Sequence, residues 1–493
     1  MYPPPRWGGG RVAHIETREG AQSVEPGCEM EIHLSGPTER TGYVYAGGAP
    51  MYVVIVGAGE VGSSIAASLA EAHEVAVIDI DGQRVEELVY ATDVLGVEGD
   101  GADLETLRDA NIRKADILIA STDDDETNIV TCGTANTVTD VFTISRVKSA
   151  KFLHTWQGSK RAFGVDHMVA TNLLTAESIT RVVGMPAAQD VETFAEGAVQ
   201  MAEFEIPEAS PIAGQTVREA DRYESLTFAA LIRDDDVVIP TGETELRPGD
   251  DVVVIGSSES VHTFAEEIAP DVHGARDVLV VGGSDIGYHT ARLLGERGLK
   301  PRLIERDHGR AREIAELLPG TTVLESDATD REFLKTEHVE DVDVVVAALD
   351  NDEKNLLASL LAKRLGAERA VAVVDSGEYV QLFEAVGVDV AVNPREATAE
   401  EITRFTREHQ AENVAIIESD RAEVLEIEVG SASVLVDRPI RESVADLPEG
   451  VVIGAITRNG ELVIPRGDTV VERGDHVVVF VDTDVLEAAS SKL

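Results

Sequence analysis

The feature that most constrains this chain is an internal repeat. Residues 53–62 read VVIVGAGEVG and residues 278–287 read VLVVGGSDIG, an offset of 225. Further along, residues 238–254 read VIPTGETELRPGDDVVV and residues 463–479 read VIPRGDTVVERGDHVVV, and the offset is again 225. One offset shared by the start and the end of the unit means a single two-part module duplicated in tandem. A period this long is a domain duplication and not a solenoid.

The first part of each copy alternates short apolar runs with amphipathic stretches. In copy one the strands are expected at Val53–Val56, Val75–Asp79, Val94–Val97, Ile117–Ala120 and Phe142–Ser145. Strand and helix in alternation imply an α/β fold with a parallel, doubly wound sheet. The second part of each copy carries short alternating strands, Gly/Pro turns and a closing helix, which reads as a small α+β lobe. The expected fold is therefore two tandem Rossmann-like sheets, each followed by a small lobe. The expected boundaries are 51–170 and 187–270 for the first module and 276–395 and 412–493 for the second. Asp234-Asp235-Asp236 and its counterpart Asn459-Gly460-Glu461 sit between β-type runs and are expected to be hairpin turns. Residues 1–50 stand apart, with nine Gly, six Pro and no Asp or Lys, and are expected to be disordered or an upstream extension preceding a true start at Met51.

Gly57-Ala58-Gly59-Glu60-Val61-Gly62 follows the first strand and opens a helix. In that context Gly57 permits the tight turn, Gly59 lets the backbone approach a pyrophosphate, and Gly62 lets helix and strand pack closely. The first helical N–H groups then point at the phosphates, aided by the helix dipole. Asp79 ends the second strand 22 residues after Gly57, where an acid is expected to accept from ribose hydroxyls. A carboxylate there repels a 2′-phosphate, so NAD is favoured over NADP. Ligands of such sheets bind at the carboxyl ends of the strands. Gly99-Asp100 after the third strand, Thr122-Asp123 after the fourth and Arg146 at the end of the fifth should therefore line the same crevice. Arg146 reads as a lone cation there, suited either to a phosphate or to an ordinary ion pair.

The second module departs from this pattern. Gly282-Gly283-Ser284-Asp285-Ile286-Gly287 carries Ser284 where the first module has Gly59, and its side chain narrows the pyrophosphate approach. Glu305 is the acid at the second strand end, with Asp327 and Asp350 at the next two. The helix N-terminus and the acid survive, so NAD, an adenine nucleotide or no ligand are all compatible with these residues.

Composition removes other classes. Asp and Glu total 91 against 42 Lys and Arg, a net charge of −49. That balance argues against nucleic acid, which requires a basic footprint, and against an anionic lipid surface. The acid is spread along the chain and Lys is scarce, as in proteins of salt-loving cells, where molar salt shortens the Debye length to roughly 3 Å. Cys28 and Cys132 form neither a disulfide framework nor a thiolate metal site, and no metal site is expected. No apolar run approaches the ~18 residues that span a bilayer, so no direct membrane insertion is expected. An NAD-dependent oxidoreductase needs an acid, base or nucleophile facing a substrate pocket. The small lobes are too short and too poor in His, Lys and Cys to provide one, and no catalytic residues are expected.

The duplicated two-lobe organisation, Ile78-Asp79-Ile80-Asp81-Gly82 and Asp125-Glu126-Thr127-Asn128 together resemble the cytosolic regulator subunits of Trk-type potassium transporters, built from modules that regulate potassium conductance. The resemblance spans residues 51–493. It implies that Gly57 to Val61, Asp79, Thr122, Asp123 and Arg146 hold NAD, with ATP or ADP a further ligand at either module. It implies self-association into a tetrameric ring beneath a potassium-conducting membrane subunit, with nucleotide exchange reshaping the ring. The chain would then be cytoplasmic, held at the inner face of the membrane through that partner. The alternatives are a sensor for another cation channel or antiporter, and, further off, an oxidoreductase.

Overall fold

The structure is a computed structural model that describes residues 50–493 apart from 71, 160–161, 234–235, 271–273, 408–412, 418–421 and 491. The N-terminal extension and the Asp234-Asp235 part of the first expected turn thus lie outside the described residues.

The first Rossmann-like lobe runs β1 (Tyr52–Val56), α1 (Glu60–Ala70), β2 (Glu74–Asp79), α2 (Gly82–Ala91), β3 (Leu95–Glu98), α3 (Leu104–Asp109), β4 (Ile117–Ala120), α4 (Asp125–Ala135), β5 (Phe142–Val147), α5 (Ala150–Gly158), β6 (His167–Ala170) and α6 (Thr171–Gly184). All strand pairings are parallel, in the order β3-β2-β1-β4-β5-β6. β6, absent from the strands expected from sequence, is a four-residue strand whose three apolar residues, Met168, Val169 and Ala170, run straight into α6. The central strands are unbroken β-branched runs because helices cover both faces. Val54, Val56, Ile78 and Leu118 face one core, and Val53, Ile55, Val77 and Ile119 face the other, where α1 packs through Val61, Ile65 and Leu69. Part of the acid excess is structural: Asp81, Asp103 and Asp124 each accept from a first-turn amide and so cap α2, α3 and α4.

The small lobe that follows contains β7 (Asp190–Phe194), β8 (Val199–Glu205), α7 (Val217–Ala220), β9 (Leu226–Arg233), β10 (Asp236–Val238), β11 (Asp251–Ser257) and α8 (Ser258–Ile268). Its antiparallel sheet has the order β10-β9-β11-β8-β7. The second Rossmann-like lobe repeats the first: β12 (Val278–Val281), α9 (Asp285–Glu296), β13 (Arg302–Glu305), α10 (His308–Leu317), β14 (Thr322–Glu325), α11 (Arg331–Thr336), β15 (Val344–Ala347), α12 (Asp352–Leu365), β16 (Arg369–Val373), α13 (Val380–Ala385), β17 (Val390–Val392) and α14 (Pro394–Arg407), in the order β14-β13-β12-β15-β16-β17. The last lobe holds β18 (Asn413–Ile417), β19 (Ala422–Glu428), β20 (Arg438–Pro439), α15 (Ile440–Ser443), β21 (Val451–Arg458), β22 (Glu461–Val463), β23 (Val470–Val471), β24 (His476–Asp482) and α16 (Leu486–Ser490). Its five-stranded sheet follows the order of the first small lobe, β18-β19-β24-β21-β22. The β21–β22 hairpin turns through Asn459 and Gly460, both at positive φ (53° and 78°), as a two-residue primed turn requires.

The two copies are locked together at both ends. The small-lobe sheets stack face to face through Phe194, Met201, Ala230 and Ile255 on one side and Val424, Ala455 and Phe480 on the other. Gly454 permits this approach, since a Cβ there would lie 2.6 Å from Ile255 Cδ1, and its carbonyl accepts from Thr227 Oγ1 at 2.9 Å. The Rossmann-like lobes exchange their last helices. α6 leaves the first lobe and buries Ile179, Val182 and Val183 in the core of the second, while α14 leaves the second and buries Ala399 and Ile402 in the core of the first.

Candidate nucleotide-binding site

The glycine turn after β1 is built as its spacing predicts, each glycine for a different reason. Gly57 has φ +106° and donates to Ile78 O at 2.8 Å, which bends the chain toward β2. A Cβ on Gly62 would lie 1.7 Å from Gly57 O, so only glycine lets α1 rise directly off the turn. Gly59 is different. Its Cβ would meet nothing nearer than Arg84 Nη1 at 3.9 Å, so the space above it is open and faces the amino end of α1. With Glu60 and Val61 opening the helix and no side chain at Gly59 to cap it, the first-turn amides are left for a ligand.

Asp79 lies beside that opening. Its Oδ2 accepts from Ala58 N at 2.6 Å and its Oδ1 from Asp81 N at 2.9 Å, so the carboxylate braces the turn. A carboxylate has about four lone-pair sites, and those left over suit ribose hydroxyls. Gly99 donates to Asp79 O at 2.8 Å, and Asp100 is exposed and accepts from Ala102 N at 2.9 Å. These two continue the same carboxyl edge and hold the loop after β3.

Thr122, Asp123 and Arg146 come together on the other side of the crevice. Buried Asn128 ties them down: its Oδ1 accepts from Thr122 N and Oγ1 at 2.9 and 2.6 Å, and its Nδ2 donates to Thr122 O and Arg146 O at 2.9 and 3.0 Å. Arg146 is only 3% exposed. Its Nη1 is 3.3 Å from Asp123 Oδ1 and its Nε 3.2 Å from Thr171 Oγ1. Burial lowers the Arg146 pKa and Asp123 partly restores it. Burial raises Asp123, but the Lys148 hydrogen bond and the charges of Lys148, Arg146 and Arg395 outweigh it and hold the carboxyl below its ordinary value.

Arg146 is therefore not the lone cation that its sequence context implied. Lys148 Nζ lies 2.9 Å from Asp123 Oδ1, and Arg395, the second residue of α14, pairs with Glu60. Arg84 on α2 hangs over Gly59, paired only distantly with Asp81 at 3.7 Å. Lys148 stood two residues past Arg146 and was legible as part of the β5 edge. The repeat carries a signal for Asn128, since Asp125-Glu126-Thr127-Asn128 has its counterpart in Asp352-Glu353-Lys354-Asn355. Arg395 carried no signal, because it arrives from the other module.

The second crevice places its residues alike but fills them differently. Gly282 has φ +104°, Gly283 N donates to Glu305 Oε2 at 2.7 Å, and Gly287 lies against the turn as Gly62 does. Ser284 then uses the space that Gly59 leaves free. Its Oγ donates to Ala348 O at 2.7 Å and accepts from Gly287 N at 3.2 Å, so it caps α9 and ties it to the end of β15. Asp285, which with Ile286 opens α9, is paired with Arg310, which also donates to Gly283 O at 2.8 Å. Asn355 Nδ2 bonds Val373 O at 2.8 Å, marking Val373 as the counterpart of Arg146. Asp352 accepts from Asp375 N and Ser376 N as Asp125 does from Lys148 N and Ser149 N, so Asp375 stands where Lys148 stands. The counterpart of Arg395, the second residue of α6, is Asn172. Burial and neighbouring Asp352 raise the Asp375 pKa.

Among the described residues no cluster of His, Cys, Asp and Glu is arranged to hold a metal ion, and no helix is long and apolar enough to cross a membrane.

Comparison with known proteins follows the same division. The TrkA-N domain model matches residues 53–171 and 278–394, and the TrkA-C domain model matches 201–269 and 424–493. The Trk system potassium uptake protein TrkA homolog 1 of Methanosarcina mazei is 38% identical over 441 residues, covering 87% of this chain and 97% of its own. The Trk system potassium uptake protein TrkA of Haemophilus influenzae is 30% identical, covering 87% and 96%. Among solved structures, the GsuK RCK domain aligns with a TM-score of 0.56 at 18% identity, over 90% of this chain and 95% of that one. The GsuK channel bound to NAD gives the same TM-score and identity over 94% and 81%. At that identity the likeness establishes the fold.

Proposed function

The chain belongs to the TrkA family of Trk system potassium uptake proteins, and from that premise we propose that it is the nucleotide-sensing regulatory subunit of a potassium uptake transporter. The observation that carries this reading is the inequality of its two crevices. The first leaves the amides of α1 uncapped above Gly59, beside Asp79 and a group of cations, and the second has used Ser284 to close the same opening. We assign NAD to the first crevice, held by Gly57, Ala58, Gly59, Glu60, Val61, Gly62, Asp79, Gly99, Asp100, Thr122, Asp123 and Arg146. The second crevice, with Gly282, Gly283, Ser284, Asp285, Ile286, Gly287 and Glu305, is in this reading the weaker NAD site, and ATP or ADP is a further ligand at either module.

Each Rossmann-like lobe, 51–170 and 276–395, acts in this reading as a sensor, and each small lobe, 187–270 and 412–493, as an assembly element. In this reading the role is regulatory rather than enzymatic, in keeping with relatives that are potassium uptake proteins. A ligand shifts an equilibrium only by its differential affinity for two shapes. The exchanged helices α6 and α14 give the ligand something to differentiate, because each belongs to one lobe and is buried in the other. Through a four-chain ring docked on the potassium-conducting membrane subunit, that difference would reach the pore. The test is potassium-limited growth of a strain lacking its own subunit of this kind, complemented with the wild-type chain or with Gly59→Val. Restoration by the wild type and not by the variant, at equal protein levels, is expected. Equal restoration by both would remove nucleotide sensing from the account.

A further inference from the structure

We infer that Arg395, delivered by the second module, is a phosphate-binding residue of the first module's nucleotide site, held in reserve by Glu60. The inference rests on the nucleotide reading above and adds to it a ligand contact made across the two modules. Arg395 is the second residue of α14, and its guanidinium donates to the carboxylate of Glu60, the first residue of α1. α1 is the helix whose amino end faces the open space over Gly59. Arg395 also lies in the electrostatic field of Asp123 and Asp375, so it sits at the mouth of the first crevice, on the side where Arg146 and Lys148 approach Asp123. It is about one-third exposed, so it has access to both solvent and ligand.

Its position is fixed by packing and not by the ion pair alone. α14 buries Ala399 and Ile402 against the first lobe, and Arg395 N is itself held by Asn393 Oδ1 at 2.8 Å. Thr398, one turn on and fully buried, donates to Thr171 Oγ1 at 3.0 Å, and Thr171 receives Arg146 Nε at 3.2 Å. Two routes therefore join the first crevice to α14: an exposed one through Glu60 and Arg395, and a buried one through Arg146, Thr171 and Thr398. The second crevice has Asn172 and Val373 at these places, and offers neither cation.

The chemistry decides what Arg395 is for. A planar guanidinium prefers a bidentate phosphate, and the two adjacent negative charges of a pyrophosphate, or the more highly charged end of ADP or ATP, attract it more strongly than one half-exposed carboxylate. A nucleotide whose phosphates reach the amino end of α1 brings negative charge next to Glu60 and competes with it for Arg395. Transfer of Arg395 from carboxylate to phosphate would draw the start of α14 toward the ligand and loosen its hold on α1. The bound nucleotide is then read directly by the second module.

Two substitutions with opposite expected signs test this. Binding of NAD, ATP, ADP and adenosine to the full-length protein is measured by calorimetry, with thermal unfolding of each free variant as a control. Arg395→Gln should weaken the phosphate-bearing ligands by about tenfold, in line with loss of one charge-assisted hydrogen bond, and leave adenosine unchanged. Glu60→Gln removes the competitor and should strengthen the same ligands by a few-fold, although both variants lose the same ion pair and should lower the unfolding midpoint alike. If both substitutions weaken binding, or neither moves it, Arg395 is only an interface residue and the inference fails. If the wild-type protein binds none of the four ligands, the nucleotide reading fails with it.

Discussion

The clearest consequence of the first crevice is that two glycines of one motif should fail in different ways. At Gly62 a Cβ would stand 1.7 Å from Gly57 O and 2.9 Å from Gly57 C. A carbon–oxygen contact needs about 3.3 Å, so α1 or the turn must move by roughly 1.5 Å. Both are packed against the sheet, with Val56, Val61 and Ile65 at 0–2% exposure, and have no slack. Overpacking of this kind costs about 3 kcal/mol, which for a two-lobe module of roughly 200 residues unfolding as one unit lowers the midpoint by roughly 6–12 °C. At Gly59 the nearest heavy atom to a Cβ is 3.9 Å away and the backbone lies outside the left-handed region. Gly59→Val should therefore cost the fold no more than about 1 kcal/mol, the difference between Gly and an aliphatic residue at a helix cap. Its methyls would fill the phosphate approach. Loss of two amide contacts to a charged pyrophosphate, at about 1.5–3 kcal/mol each, weakens NAD by roughly 100-fold or more. Thermal unfolding of the free protein and calorimetric titration with NAD separate the two effects. A Gly59→Val chain that binds NAD as the wild type does, or a Gly62→Ala chain of wild-type stability, would refute the division of roles.

Three further outcomes are expected. Asp79→Ala removes both the brace on Ala58 N and the ribose acceptor, and should weaken NAD about 100-fold, whereas Glu305→Ala should change total NAD binding by a few-fold at most; equal losses in a titration would contradict the ranking of the two crevices. Arg369, 7% exposed on β16, donates to Val182 O and Met185 O at 3.2 Å and also to Ala188 O, so it caps the end of α6 from the opposite lobe; Arg369→Met should destabilise by about 2–4 kcal/mol and speed hydrogen exchange over 182–190, and unchanged exchange would argue against that capping role. His167 is stacked on Phe405 at 3.9 Å, and burial, with the charge of Arg404, holds its pKa down to about 4 against an ordinary value of 6.5. The unfolded chain therefore binds more protons between those values, so this group's contribution is intact above pH 6.5 and is lost as pH falls toward 4. A His167→Phe chain should show a flatter acid limb in denaturant titrations from pH 7 to 4, and an unchanged limb would exclude the assignment.

Most of the architecture was legible because it is written twice. The offset of 225 fixed four lobes and their order, and the β-branched runs at Val53–Val56, Ile117–Ala120 and Val344–Ala347 are short, apolar and buried on both faces, the easiest strands to read. β6 was harder to read, since only Met168, Val169 and Ala170 mark it before α6 begins at Thr171, too short a run to stand out. In the site, local pattern revealed what local pattern makes. The glycine turn, Asp79 and the strand-end residues are each fixed within one strand–helix step, and Ser284 was visible as a departure from it. What the sequence hid are relations between modules. Nothing near Arg395 says that α14 crosses to the other lobe, and nothing near Thr171 says that it will stand between Arg146 and Thr398. The role of Ser284 was also sharper in the structure than as a bulky intruder: it supplies the cap that the open crevice lacks.

The central claim is that one crevice of an unequal pair takes NAD. Its most direct test is a calorimetric count of NAD sites on the purified full-length chain. One strong site per chain is predicted, abolished by Gly59→Val and kept by Glu305→Ala. Two equivalent sites, or a strong site that survives Gly59→Val, would contradict it.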